Sequence, residues 1–140
     1  MNDKPLPRVT ELTRPYWDAA QAGKFVLQRC RACRKAIYYP RSWCPHCWGV
    51  ELEWFEASGL GRVITYSIVH QAPSKPFAAD APYVLAVVRL EEGPQMMGNV
   101  MGIDPKLVRV DMPVRVIFEE RGGGFRVPQF EATSAFHAGG

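Results

Sequence analysis

The sequence predicts a mainly β chain: a short N-terminal helix, then a metal-clamped ribbon, then a small closed barrel of five strands. Three observations carry that prediction. Two Cys-x-x-Cys pairs, Cys30/Cys33 and Cys44/Cys47, stand ten residues apart. Five strand-like runs follow Ser58-Gly59-Leu60-Gly61, with no helical crossover of adequate length between them. Hydrophobic residues make up 47% and charged residues 22% of 140 residues. That is a globular composition, enough for one domain or for a small domain plus a module too small to fold unaided.

Taken in order, residues 1–8 contain Pro5 and Pro7 and read as an extended arm. Thr13 is the expected N-cap of a helix, Pro15 falls in its first turn, and Gly23 is its C′ stop. Tyr16, Trp17 and Ala20 share one side of it. So short a helix does not persist alone in water. Tyr16 and Trp17 must therefore dock, either on the ribbon or on a partner protein.

Residues 25–29 lead into the first cysteine pair as a strand, and residues 36–40 leave it as a second arm. Residues 51–57 add a third strand with Leu52, Trp54 and Phe55 as its apolar positions. Each Cys-x-x-Cys knuckle can offer two thiolates to one ion, and the intervening hairpin brings the pairs together. Zinc wants four such ligands in a tetrahedron, so Cys30, Cys33, Cys44 and Cys47 are the candidate ligands of one structural zinc. Disulfides and a redox dithiol at Cys44-Pro45-His46-Cys47 are the competing readings. Persistent bridges are out of place in a cytoplasmic chain. A redox cysteine needs a helix N-terminus, whereas this motif runs into Trp48-Gly49 and reads as a turn. His46 is expected to be solvated. The layout is that of a zinc ribbon or rubredoxin-like module whose metal supplies its folding energy.

The net charge of +3 is unevenly placed. Lys24, Arg29, Arg31, Arg34, Lys35 and Arg41 fall between Lys24 and Val50, with no acidic residue among them. Of 17 Lys and Arg, six lie there, and the other 11 face all 14 Asp and Glu, a balance of −3. The basic segment thus coincides with the cysteines. It either offsets the −2 charge of a zinc–tetrathiolate centre or forms an anion-binding surface.

In the second half, residues 62–70, 83–90, 95–101, 114–119 and 125–130 are the expected strands, the last two joined by Gly122-Gly123-Gly124. Residues 103–110 contain Asp104-Pro105 and can form one turn of helix. Met1-Asn2-Asp3-Lys4-Pro5 opens no signal peptide, and no apolar run approaches the roughly 18 residues of a membrane span. A soluble, cytoplasmic protein is expected.

Several of these motifs together resemble the DUF35 family. They are Tyr16-Trp17, the run Gly23-Lys24-Phe25-Val26-Leu27-Gln28-Arg29-Cys30, and Tyr39-Pro40-Arg41 before Cys44-Pro45-His46-Cys47. Ser58-Gly59-Leu60-Gly61, Pro82-Tyr83, Leu90-Glu91-Glu92-Gly93-Pro94 and Met112-Pro113-Val114 extend the likeness over residues 9–131. The resemblance implies a rubredoxin-like zinc ribbon followed by an OB-fold. It divides the chain into arm and helix (1–23), ribbon (24–57), OB-fold (58–131) and a flexible tail (132–140). It further implies a non-catalytic accessory subunit in a hetero-oligomer with an acyl-CoA enzyme. That enzyme would be a thiolase-like condensing enzyme, a retro-aldolase or a hot-dog-fold hydratase, with the small subunit shaping or bridging the acyl-CoA site. Two positions depart from the family: Asp111 stands where glycine is expected, and Gln95 follows Pro94 in place of arginine.

The residues are consistent with that role. The histidines are His46, His70 and His137, and no nucleophile–base signature accompanies them. Tyr16, Trp17, Trp43, Trp48 and Trp54 crowd a module too small to bury them all, which points to an interface. Coenzyme A is polyanionic, so Arg29, Arg31, Arg34, Lys35 or Arg41 could face its phosphates. The connection 71–82 carries Lys75 and Phe77, which could border a pantetheine arm or acyl chain. Arg41, Lys75 and Phe77 are the candidate ligand contacts. The alternative is a single-stranded nucleic-acid binder using Tyr66, Tyr83, Phe118 and Phe125 as stacking platforms. The acidic second half and the apolar strands around Tyr66 and Phe118 speak against it.

Overall fold

A computed structural model describes residues 8–70, 82–121 and 125–133. Lys75, Phe77, His137, the Gly122–Gly124 turn and the two terminal segments lie outside the described residues.

The expected helix is α1 (Arg14–Gln21). Gly23 ends it at φ +78°, a left-handed backbone that glycine adopts without steric cost. There its N–H donates to the Ala20 carbonyl (3.0 Å), and that of Lys24 donates to Ala19 (2.8 Å). The N-terminal expectation needs correcting. Thr13 occupies the N-cap position, but its hydroxyl makes no bond to the helix. Instead Thr10 and Thr13 bond reciprocally, each backbone N–H donating to the other's hydroxyl (3.0 and 3.2 Å).

Three short strands form the ribbon: β1 (Val26–Cys30), β2 (Ala36–Ile37) and β3 (Leu52–Glu56), in the order β2-β1-β3 and antiparallel throughout. The second arm is thus shorter than expected, because the chain leaves the sheet at Tyr38. The barrel follows with β4 (Leu60–Val69), β5 (Tyr83–Leu90), β6 (Gln95–Met101), β7 (Pro113–Arg121) and β8 (Phe125–Ala132). Its closed order is β4-β5-β6-β8-β7. All neighbours are antiparallel except β6 and β8, which run parallel at Val100–Phe130 and Met101–Glu131. This is a five-stranded Greek-key barrel of the OB type. The turn expected around Asp104-Pro105 is a 3-10 turn (Pro105–Leu107), with the Asp104 carboxylate accepting from the Lys106 N–H at 3.0 Å.

Alternation decides what the barrel encloses. Val84, Ala86, Val88 and Leu90 of β5 point inward and are buried, as are Met96, Gly98 and Val100 of β6. Phe130 fills the centre because Gly98 faces it: a Cβ there would stand 3.0 Å from the Phe130 ring. The core does not stop at the barrel. Tyr16, Trp17 and Ala20 of α1 and Phe25 and Leu27 of the ribbon belong to the same buried cluster as Val63, Val88 and Phe130. Tyr16 and Trp17 therefore dock inside the chain. Trp17 donates its indole N–H to the Tyr39 hydroxyl (3.0 Å) and lies 5.6 Å from the Phe125 ring. The interface expectation is thereby withdrawn for these two residues.

Candidate metal centre and its surroundings

The two knuckles are built alike. Cys30 and Cys44 each open a turn in which the residue after the second cysteine takes a left-handed backbone, Arg34 and Trp48 both at φ +68°. Arg34 donates its N–H to the Cys30 carbonyl (2.8 Å), and Trp48 does so to Cys44 (2.9 Å). Cys30 donates to the Lys35 carbonyl (3.0 Å), and Cys44 to that of Gly49 (2.7 Å). This repeated hydrogen-bond pattern aims four sulfurs at one point.

Those four Sγ atoms lie within 4.8 Å of one another, with 3.5 Å between Cys30 and Cys47 and 3.6 Å between Cys33 and Cys44. Zinc–sulfur bonds of about 2.3 Å in a tetrahedron put sulfurs roughly 3.8 Å apart. The set therefore fits a four-coordinate zinc. Gly49 leaves room for it, since a Cβ there would stand 3.3 Å from the Cys47 sulfur and 3.4 Å from that of Cys30. The His46 N–H donates to the Cys44 sulfur (3.3 Å). The Cys33 N–H lowers the Cys30 thiol to about 7, helped by Cys47 and the Ala32 N–H and opposed by desolvation. The Gly49 N–H favours the Cys47 thiolate, but the hydrogen shared with Cys30 and desolvation outweigh it and push Cys47 up to about 11. The redox reading does not match this geometry. Cys44 is fully buried and is followed by a turn, not by a helix that would expose and activate a thiolate.

The basic residues divide into three groups. The Arg29 guanidinium sits 3.9 Å from the Phe55 ring centroid, and Arg31 lies 3.6 Å from the Glu53 carboxylate. Arg34 and Lys35 are exposed and join Arg29, His46, Glu92 and Gln95 around a cleft of about 550 Å³ between ribbon and barrel. Gln95, where the family pattern has arginine, faces this cleft. Arg41 does not line it. Its side chain is exposed, while Gln28 clamps its backbone, accepting from the N–H (2.7 Å) and donating to the carbonyl (3.0 Å). Buried Gln28 was not singled out among the site residues; its one signal is a polar residue inside an apolar strand. A larger, mainly apolar cleft of about 830 Å³ lies along the β4–β7 seam and shares no residue with the basic one.

The aromatic residues separate as sharply. Tyr16, Tyr38 and Tyr39 form an edge-to-face nest with Trp17. Within it the Tyr16 hydroxyl is buried beside Tyr38 without a hydrogen bond of good geometry, and desolvation drives its pKa far upward. Trp54, Tyr66, Phe118 and Phe125 are half-buried against the core. Trp43 and Trp48 stack on each other at the surface, centroids 4.9 Å apart.

Comparison with known proteins agrees with this architecture. Residues 17–53 match the family model described as the ChsH2 rubredoxin-like zinc ribbon domain, and residues 54–119 match the ChsH2 C-terminal OB-fold domain. A probable enoyl-CoA hydratase alpha subunit of Thermomonospora curvata is 33% identical over 127 residues, 91% of this chain and 39% of that protein. The chain thus spans about two fifths of that relative. A DUF35 domain-containing scaffold protein of Methanothermobacter thermautotrophicus is 30% identical over 113 residues, 80% of this chain and 84% of that protein. A solved structure titled Ltp2-ChsH2(DUF35) aldolase superposes with a TM-score of 0.80 at 32% identity, covering 91% of this chain and 98% of that one. A rubredoxin-like zinc ribbon on a five-stranded OB barrel, matched over nearly its whole length by such relatives, makes this chain a member of the DUF35 family.

Proposed function

We propose that this protein is a non-catalytic, zinc-binding accessory subunit of an acyl-CoA-processing enzyme complex. The carrying observation is the closed set of four convergent cysteines, with Cys30 and Cys44 fully buried. Four sulfurs complete a tetrahedron and leave no position for substrate, so the metal holds the ribbon together and does not activate a reactant. Cys30, Cys33, Cys44 and Cys47 would be the ligands, and the ribbon (24–57) and barrel (58–131) the two units they organise.

Relatives named as a hydratase alpha subunit and a DUF35 aldolase support an enzyme partner of hydratase or retro-aldolase type; a thiolase-like enzyme is the third member of the same class. The cleft bearing Arg29, Arg34 and Lys35 suits the phosphates of coenzyme A as a ligand shared with that partner. Arg41, Lys75 and Phe77 are second-rank contacts, and the setting is the cytoplasm. Among the described residues no helix is long and apolar enough to cross a membrane.

The test is affinity capture of the full chain from its native host, with mass spectrometry, metal analysis and activity assay. The expected result is about one zinc per chain, no acyl-CoA chemistry by the chain alone, and a co-purifying acyl-CoA enzyme. Recovery as a lone monomer with tight, salt-sensitive binding to single-stranded nucleic acid would refute the reading.

A further inference from the structure

Trp43 and Trp48 are large aromatics that the fold does not use. Trp43 is 39% exposed and Trp48 73% exposed. Neither belongs to the shared core or to the small cluster around Cys30, Ile37 and Cys44. Their rings are nevertheless ordered against each other, with planes only 6° from parallel.

Trp48 also occupies an unfavourable backbone. Its φ of +68° suits glycine or asparagine, and a bulky side chain there is disfavoured. Glycine would suit the knuckle backbone better, and the indole's ring contact is with Trp43, itself exposed at the surface. A side chain held at a cost to the fold and left in water points to a contact outside the molecule.

The surroundings say what kind of contact. Arg31, Arg34, Lys35 and Arg41 are exposed on the same module, and its segment between Lys24 and Val50 contains no acidic residue. Val50 of the same module is 75% exposed. A stacked apolar pair on a basic ribbon segment is complementary to an apolar socket with an acidic rim.

We propose that the Trp43–Trp48 stack is the wedge by which the ribbon docks into an apolar, acid-rimmed socket on its protein partner. The inference rests on the accessory-subunit reading and locates its interface on the second zinc knuckle. Tryptophan is the residue most enriched at interface hot spots, and a pair already stacked loses little freedom on docking. The ribbon's exposed cations steer the approach and make it sensitive to salt.

The experiment compares the full-length wild type, Trp43→Ala/Trp48→Gly and Met97→Ala, an exposed barrel control, for zinc content, Tm and affinity for the captured acyl-CoA enzyme. The double variant should keep its zinc and a Tm no lower than wild type, because glycine suits the knuckle backbone. Its affinity should fall about 30-fold, the scale of a hot spot, with Met97→Ala near wild type and wild-type association slowed by added salt. Undiminished affinity in the double variant overturns the inference and leaves the accessory role standing. A parallel loss of zinc or Tm assigns the pair to the fold and also overturns it. If wild type captures no acyl-CoA enzyme, or Trp48 cross-links to nucleic acid, the accessory role fails and the inference with it.

Discussion

Truncating Trp17 should be far more damaging than truncating Trp48, and the difference can be worked from the structure. Trp17 is 7% exposed, shares a core with the ribbon and the barrel, and donates to the Tyr39 hydroxyl. An indole buries about 200 Å², which at about 25 cal/mol/Å² is roughly 5 kcal/mol. A compact unfolded state already hides part of that area, while the lost hydrogen bond adds about 1 kcal/mol. Trp17→Ala should therefore cost about 4 kcal/mol, within the 3–5 kcal/mol typical of buried aromatic truncations. For a chain of this size that lowers Tm by roughly 12–20 °C. Trp48→Ala, at an exposed site, should change stability by less than about 0.5 kcal/mol. Urea denaturation of zinc-loaded protein, followed by circular dichroism, measures both. A Trp17→Ala cost below about 1 kcal/mol, or one no larger than that of Trp48→Ala, would refute the placement of Trp17 as the common support of helix, ribbon and barrel.

Cys33→Ser should abolish zinc binding and give unfolded or insoluble protein, since a structural zinc contributes on the order of 10 kcal/mol; a soluble, folded, metal-free variant would contradict the assignment. Gly61→Ala should destabilise by about 2–3 kcal/mol, because a Cβ would come within 2.6 Å of a Val88 methyl and 2.7 Å of the Arg89 carbonyl; a wild-type Tm would disprove the tightness of that strand contact. Asp111→Gly should raise stability by about 0.5–1 kcal/mol, since Asp111 holds φ +70° and its backbone, not its side chain, bonds Arg62 and Val63; loss of stability would reveal a role for its carboxylate.

The parts legible in the sequence were those encoded locally. The cysteine spacing marks the metal centre, and runs of strand-forming residues place β5 and β6 at the residues expected. The glycine expected at position 111 was a backbone signal, since Asp111 takes the left-handed conformation that glycine adopts without steric cost. What stayed hidden depends on distant partners. Trp17 and Trp48 both stand as interface candidates until Tyr39 and Phe125 close over one and not the other. Thr13 takes the N-cap position as expected, but its hydroxyl bonds Thr10 in place of the helix. Arg41 looked like a ligand contact, yet it is Gln28 that engages its backbone, while the basic cleft is lined by Arg29, Arg34 and Lys35. The buried amide of Gln129, which accepts from the Asn99 N–H (2.7 Å), joins strands that only barrel closure brings together.

Gln21 of α1 grips the backbone of Arg126 in β8 from both sides, accepting from its N–H (2.8 Å) and donating to its carbonyl (3.1 Å) across 105 residues of chain. On the ribosome, at about 5–20 residues per second, the helix emerges roughly 5–20 s before the strand that receives it. During that interval Tyr16 and Trp17 have no barrel to cover them. The docking of α1 on β8 is thus a late event, and any truncation that removes β8 leaves the Phe125 side of Trp17 uncovered.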